Sequence, residues 1–101
     1  LPTVEAYYAI GDTTKGNALA ERIFEIMEEN LTYYMSLEPR YAGQVSKEAE
    51  ITHAVMGRLA MQAMAADSTF GEKLGDRFQT IDALYQGTPK QPTRRMSKAR
   101  F

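Results

Sequence analysis

YYAIGDTTKGNALAERIFEI, residues Tyr7–Ile26, reads as the end of one helix, a tight turn, and the start of a second helix folding back on the first. Gly11 can take the left-handed conformation that closes a helix, and Asp12 can cap the next one by accepting from its free N–H groups. From Thr14 onward, Leu19, Ile23, Ile26, Met27, Leu31, Tyr34 and Leu37 recur in steps of three and four, which marks one face of a long helix. Glu21, Arg22, Glu25, Glu28 and Glu29 fall on the other face. Gly16 occupies the first turn of this helix, where glycine costs about 1 kcal/mol relative to alanine. A close approach to the preceding helix of the hairpin is the expected compensation. Upstream, Pro2–Ile10 reads as a short helix, with proline tolerated in the first turn because its missing N–H had no partner there.

The bend returns once. A shift of 55 positions lays GDTTKGNALAERI over ADSTFGEKLGDRF, so that Asp12 meets Asp67, Thr14 meets Thr69, Gly16 meets Gly71, Leu19 meets Leu74, and Arg22 meets Arg77. Between the two bends, Pro39 is expected to stop the long helix. Glu38–Val45 reads as a loop anchored by Tyr41. Ser46 is expected to cap a third helix reaching about Ala66, with Ile51, Val55, Leu59 and either Gln62 or Ala63 on its buried side. A fourth helix carries Phe70, Leu74, Phe78, Ile81 and Tyr85 at helical spacing, with Gly87 placed to close it. Thr88–Phe101 has two prolines and no period, and reads as disordered. The expectation is therefore an all-α fold of four helices: two stacked antiparallel hairpins over residues 1–87, then a disordered tail over 88–101.

Size and composition set the bounds. At 101 residues with 44% hydrophobic and 25% charged content, the chain has the make-up of one small globular domain. No run approaches the ~18 apolar residues of a membrane span, and the start LPTVEAYY carries no secretory signal. The absence of an initiating methionine suggests a piece of a longer chain. With no cysteine, disulfides, thiolate nucleophiles and the usual structural zinc sites are excluded. The net charge of −1 hides an asymmetry: Lys90, Arg94, Arg95, Lys98 and Arg100 are all in the tail, leaving 7 basic and 13 acidic residues in the body. A basic tail of this kind attracts nucleic acid or anionic lipid, but it lacks interleaved aromatics and the acidic body opposes such binding, so no nucleic-acid partner is expected.

No catalytic constellation emerges. Gly11 and Gly16 have the glycine spacing of a phosphate-binding loop, but Asn17 and Ala18 stand where Lys and Ser/Thr are required. Glu50-Ile51-Thr52-His53 is half of a di-iron carboxylate motif, which the single histidine cannot complete within one chain. No cofactor and no metal are expected. The tyrosines are more informative: in each of the pairs Tyr7-Tyr8 and Tyr33-Tyr34 one ring should join the core and the other should be free to line a groove. Tyr7, Tyr8, Tyr33, Tyr34 and His53 are the candidate groove residues. Gly11, Asp12, Gly16, Asp67 and Gly71 are the structural turn residues.

Tyr7-Tyr8, Gly11-Asp12 and Gly16 together resemble the tetratricopeptide repeat, whose pattern has aromatics in the first helix, a Gly-Asp turn and a following small residue. The chain departs from it at Ala20, which stands at an aromatic position, and in the 55-residue spacing, against ~34 in that family. A second resemblance covers most of Leu1–Gly87. LPTVEAYYAIGDTTKGNALAERI and the later LTYYMSLEP look like the C-terminal helical region of a bacterial family of multi-spanning membrane proteins, whose membrane half is similar to GT-C-type glycosyltransferases. That resemblance implies a soluble tail on the extracytoplasmic, periplasmic side of an inner membrane, attached to the membrane only through the parent protein. Any glycosyl transfer would belong to the missing part, and no catalytic residue carries over.

The expected function is a non-catalytic interaction or scaffold domain whose groove between the hairpins, with exposed tyrosine and acidic faces, receives a protein or peptide or docks on the remainder of its own parent. Two alternatives remain open: an accessory substrate-binding part of a membrane glycosyltransferase, and a small four-helix bundle that forms a homodimer.

Overall fold

The computed structural model describes residues 2–37 and 39–87, with backbone alone over 39–45. The expectations for the tail over 88–101 and for the Tyr41 side chain lie outside the described residues. Among the described residues four helices form in chain order: α1 (Val4–Ala9), α2 (Thr13–Ser36), α3 (Pro39–Ala66) and α4 (Ser68–Gly87). The fold is all-α, as the sequence periodicity requires.

Local chemistry sets each boundary. The Thr3 hydroxyl accepts from the Ala6 N–H at 3.0 Å and starts α1. Gly11 closes it at φ +84°, and the Asp12 N–H returns to the Tyr7 carbonyl at 2.9 Å while the Gly11 N–H reaches Tyr8. That pair of bonds is a Schellman closure. The Asp12 carboxylate then accepts from the Lys15 N–H at 3.1 Å and opens α2. Asp67 does the same for α4, accepting from the Phe70 N–H at 3.2 Å. One non-helical residue, Asp67, separates α3 from α4.

The segment after Pro39 differs from expectation. Leu37 turns extended, at ψ 146°, so α2 does end where the approaching proline demands. Yet α3 begins at Pro39 itself, not at Ser46, and the expected loop over 38–45 is helical from residue 39 onward. Proline breaks a helix that approaches it from the N-terminal side, but its fixed φ makes it a good first residue for a new one. One internal glycine, Gly43, costs only about 1 kcal/mol and does not interrupt the helix.

Helices neighbouring in sequence pack on one another, with a further contact between α2 and α4, giving an elongated body of 55 × 24 × 18 Å. Phe24, Leu31, Met56 and Leu74 are its largest fully buried side chains. On α2 the expected face packs inward at Leu19, Ile23, Met27, Leu31 and Tyr34, with Gly16, Ala20 and Phe24 buried beside it, while Ile26 is 50% exposed. On α3, Met56, Leu59, Ala60 and Ala63 are inside and Ile51 is exposed. Small residues at Gly16, Ala20, Ala60 and Ala63 share the interior with Phe24, Leu31, Met56 and Leu59, because α2 is flanked by both α1 and α3 and close helix approach favours small side chains at the points of contact. The expected stripe of α4 holds: Leu74 and Ile81 are buried, and Phe70, Phe78 and Tyr85 pack on the core.

Both repeat glycines lie where helices touch. A Cβ on Gly16 would stand 2.5 Å from the Tyr8 ring, and one on Gly71 would run into the Met64 backbone. Both glycines are buried.

Candidate functional site

Tyr8, one of the five expected groove residues, is a structural link. Its ring covers Gly16 and its hydroxyl donates to Asn17 Oδ1 at 2.7 Å. Asn17 in turn donates through Nδ2 to Asp67 Oδ2 at 3.0 Å. A single polar chain therefore joins the two bends: Tyr8 from the first hairpin, Asn17 from the second helix, and the Asp67 cap of the last. Hydrogen bonds from the Phe70 N–H and from Asn17 hold the Asp67 carboxyl below its usual range. Burial, and then the nearby Asp67 charge, push the Tyr8 phenol up.

The other four scatter. Tyr7 lines a cleft on the outer side of the first hairpin, beside Lys15, Leu19 and Arg22. Tyr33 is exposed and Tyr34 packs on the core, their ring centroids 6.0 Å apart. Along α2 they lie about 25 Å from Gly16, at ~1.5 Å per residue. His53 belongs to the α3–α4 seam: it stacks on Tyr85 at 4.4 Å, its centroid is 5.1 Å from that of Phe78, and its Nε2 donates to Asp82 Oδ1 at 2.6 Å. The expectation of one tyrosine-lined groove therefore fails, because α2 is too long for Tyr7 and Tyr33 to share a surface. Adjacency in sequence does not place the two pairs side by side in space.

The groove that does form runs along the outer side of α3 and α4, with a volume of about 690 Å³. His53, Gly57, Met61, Met64, Gly75 and Phe78 line it. Its floor is low because Gly57 and Gly75 carry no side chain. A Cβ on Gly57 would stand 3.1 Å from the Phe78 ring, whereas one on Gly75 would meet open space. Met61 is 73% exposed and Met64 40%, and their unbranched thioethers adapt readily to an apolar ligand. Of the five candidate groove residues, His53 alone lines this surface, together with the turn glycine Gly71.

A second polar feature ties α4 to α2. Arg77 Nη2 donates to Glu28 Oε1 at 2.7 Å, Nη1 lies 3.9 Å from Glu21, and the guanidinium lies 5.1 Å from the centroid of the Phe24 ring. The hydrogen bond to Glu28 raises the Arg77 pKa. Neither this cluster nor the linking role of Asn17 stands out in the sequence. The signal available is the alignment of the repeat itself, in which Arg22 and Arg77 coincide while Asn17 faces Glu72.

Among the described residues no group of three His, Cys, Asp or Glu could hold a metal ion, and no helix is long and apolar enough to cross a membrane. No family model, no curated protein and no solved structure matches the chain.

Proposed function

We propose that the chain is a non-catalytic interaction or scaffold domain that works by docking a helix in the α3–α4 groove. The observation carrying this reading is an equivalence between the two hairpins. The 55-residue shift takes Ala20 and Ile23 of α2 onto Gly75 and Phe78 of α4. On α2 that face is closed: Ala20 is fully buried and Ile23 packs on the core. On α4 the same face is the open groove, bordered by Met61 and Met64. An amphipathic helix lying there as α3 lies on α2 would bury apolar surface now in contact with water, which is the usual drive for helix-in-groove recognition.

The likeness to tetratricopeptide repeats, in the Tyr7-Tyr8, Gly11-Asp12 and Gly16 positions, supports a stacking architecture for this domain. The likeness of Leu1–Gly87 to the tail of GT-C-like membrane proteins supports placing it as a periplasmic appendage of a larger parent.

A photo-crosslinking amino acid at Met61 tests the groove. The expected result is a defined adduct in native cells that disappears with Met64→Glu, while the same probe at exposed Glu29 gives none. Equal labelling from both positions, or an adduct indifferent to Met64→Glu, would remove the groove from consideration.

A further inference from the structure

The 55-residue equivalence also relates α4 to the opposite end of the molecule. On α4, Leu74 and Ile81 are buried, at 1% and 4% exposed, and Arg77 between them is held against α2 by Glu28 and Glu21 across the Phe24 ring. Their counterparts one repeat earlier are Leu19, Arg22 and Ile26. These keep the residue types on a more open surface: Ile26 is 50% exposed, Arg22 is exposed, and Leu19, which packs partly on the core, borders with Arg22 an open cleft of about 760 Å³.

We propose that Leu19, Arg22 and Ile26, on the outer face of the α1–α2 hairpin, dock a partner helix that carries an aromatic residue with one carboxylate three positions before it and another four positions after. That pattern is what α2 itself offers to Arg77 through Glu21, Phe24 and Glu28. An amide four positions before the first carboxylate completes it, because Asn17 there donates to Asp67, and Asp12 is the counterpart of Asp67 on the vacant face.

Charge argues that the occupant is not a second copy of this chain. A head-to-tail copy would present the outer side of α4, where Glu72, Gln79 and Ala83 replace Asn17, Phe24 and Glu28. Glu72 would then oppose Asp12, two carboxylates facing each other, and Arg22 would keep Asp76 as its one acidic partner. Like-charge pairing of this kind is how interfaces reject wrong partners.

The inference rests on the reading of the chain as a helix-docking domain, but it concerns the other end of the molecule. The triple variant Glu72→Asn, Gln79→Phe, Ala83→Glu builds the required pattern onto α4, and all three positions are exposed. By sedimentation velocity the variant is expected to associate head to tail while the natural sequence stays monomeric, and adding Arg22→Glu should weaken that association about tenfold or more. A folded triple variant that remains monomeric, or an association indifferent to Arg22→Glu, would overturn the proposal, as would self-association of the natural sequence through Arg22. A second measurement covers the event that the variant does not fold. A synthetic peptide of the Thr13–Ser36 sequence, titrated into the labelled natural protein, should shift the amide resonances of Leu19, Arg22 and Ile26, and shifts confined to other residues would count against the face. Loss of Met61 crosslinking, by contrast, would sink the groove reading and leave this surface untouched.

Discussion

Asn17 does the most with the least. Its amide accepts from Tyr8 with one end and donates to Asp67 with the other, a two-sided role that a carboxylate cannot fill. Asn17→Asp is therefore expected to lower the melting temperature at neutral pH by facing one carboxylate with another. The loss should shrink as pH falls and the pair takes up a proton, and a pH-independent loss would contradict the geometry. Asp67 itself has a depressed pKa, so its contribution is complete above the unfolded carboxyl value and is lost as pH falls through the folded one. Tyr8 works in the opposite sense. Its raised pKa means that folding favours the neutral phenol, a contribution complete below the ordinary tyrosine value of about 10 and lost as pH rises through the folded value. Tyr8→Phe keeps the ring over Gly16 and removes the donor, which should cost about 0.5–1.5 kcal/mol by urea denaturation.

At the scale of elements, the two hairpins are joined by the buried seam of α2 and α3 and by the Arg77 cluster at its edge. Phe24→Ala should cost about 3–5 kcal/mol, since the ring is fully buried, while Ile26→Ala should change stability by no more than about 0.5 kcal/mol. Equal costs would mean that Ile26 is buried along with Phe24. Arg77 and Glu28 are each about one-third exposed, so a double-mutant cycle should return only about 0.5–1 kcal/mol, reduced further by added salt. These elements also mark how far the sequence could be read. The bends were legible because glycine and aspartate are there for local reasons: a positive φ at Gly11, and caps at Asp12 and Asp67. The start of α3 was not, because proline is at once a stop and a start signal and its neighbours do not say which. On α2, Ile26 is the exception to its stripe, and hydrophobic periodicity, which weights large side chains, passes over the small Gly16 and Ala20 that are buried beside it. The Asn17–Asp67 bond spans residues 50 apart, and no local pattern announces it.

At the scale of the whole molecule, the repeat explains the placement of the vacant surfaces. One hairpin lying on another buries one face of each and leaves two faces over: the α3–α4 groove at one end, and Leu19, Arg22 and Ile26 at the other. In stacked helical units each contacts only its neighbours, so a terminal unit without a polar cap keeps apolar surface exposed. The five expected groove residues were dispersed because the stack is long in the direction along which they were spaced. What makes the stack possible is the close approach of paired helices at Gly16 and Gly71. The direct test is to add one methyl group to α4 at either of two glycines and measure the free energy of unfolding in urea. Gly71→Ala should destabilise by about 1–3 kcal/mol, because the new Cβ meets the Met64 backbone, while Gly75→Ala should stabilise by about 0.5–1 kcal/mol, because nothing stands near it and alanine favours the helix. Opposite signs are the predicted result; a shift of the same sign at both positions would contradict the account.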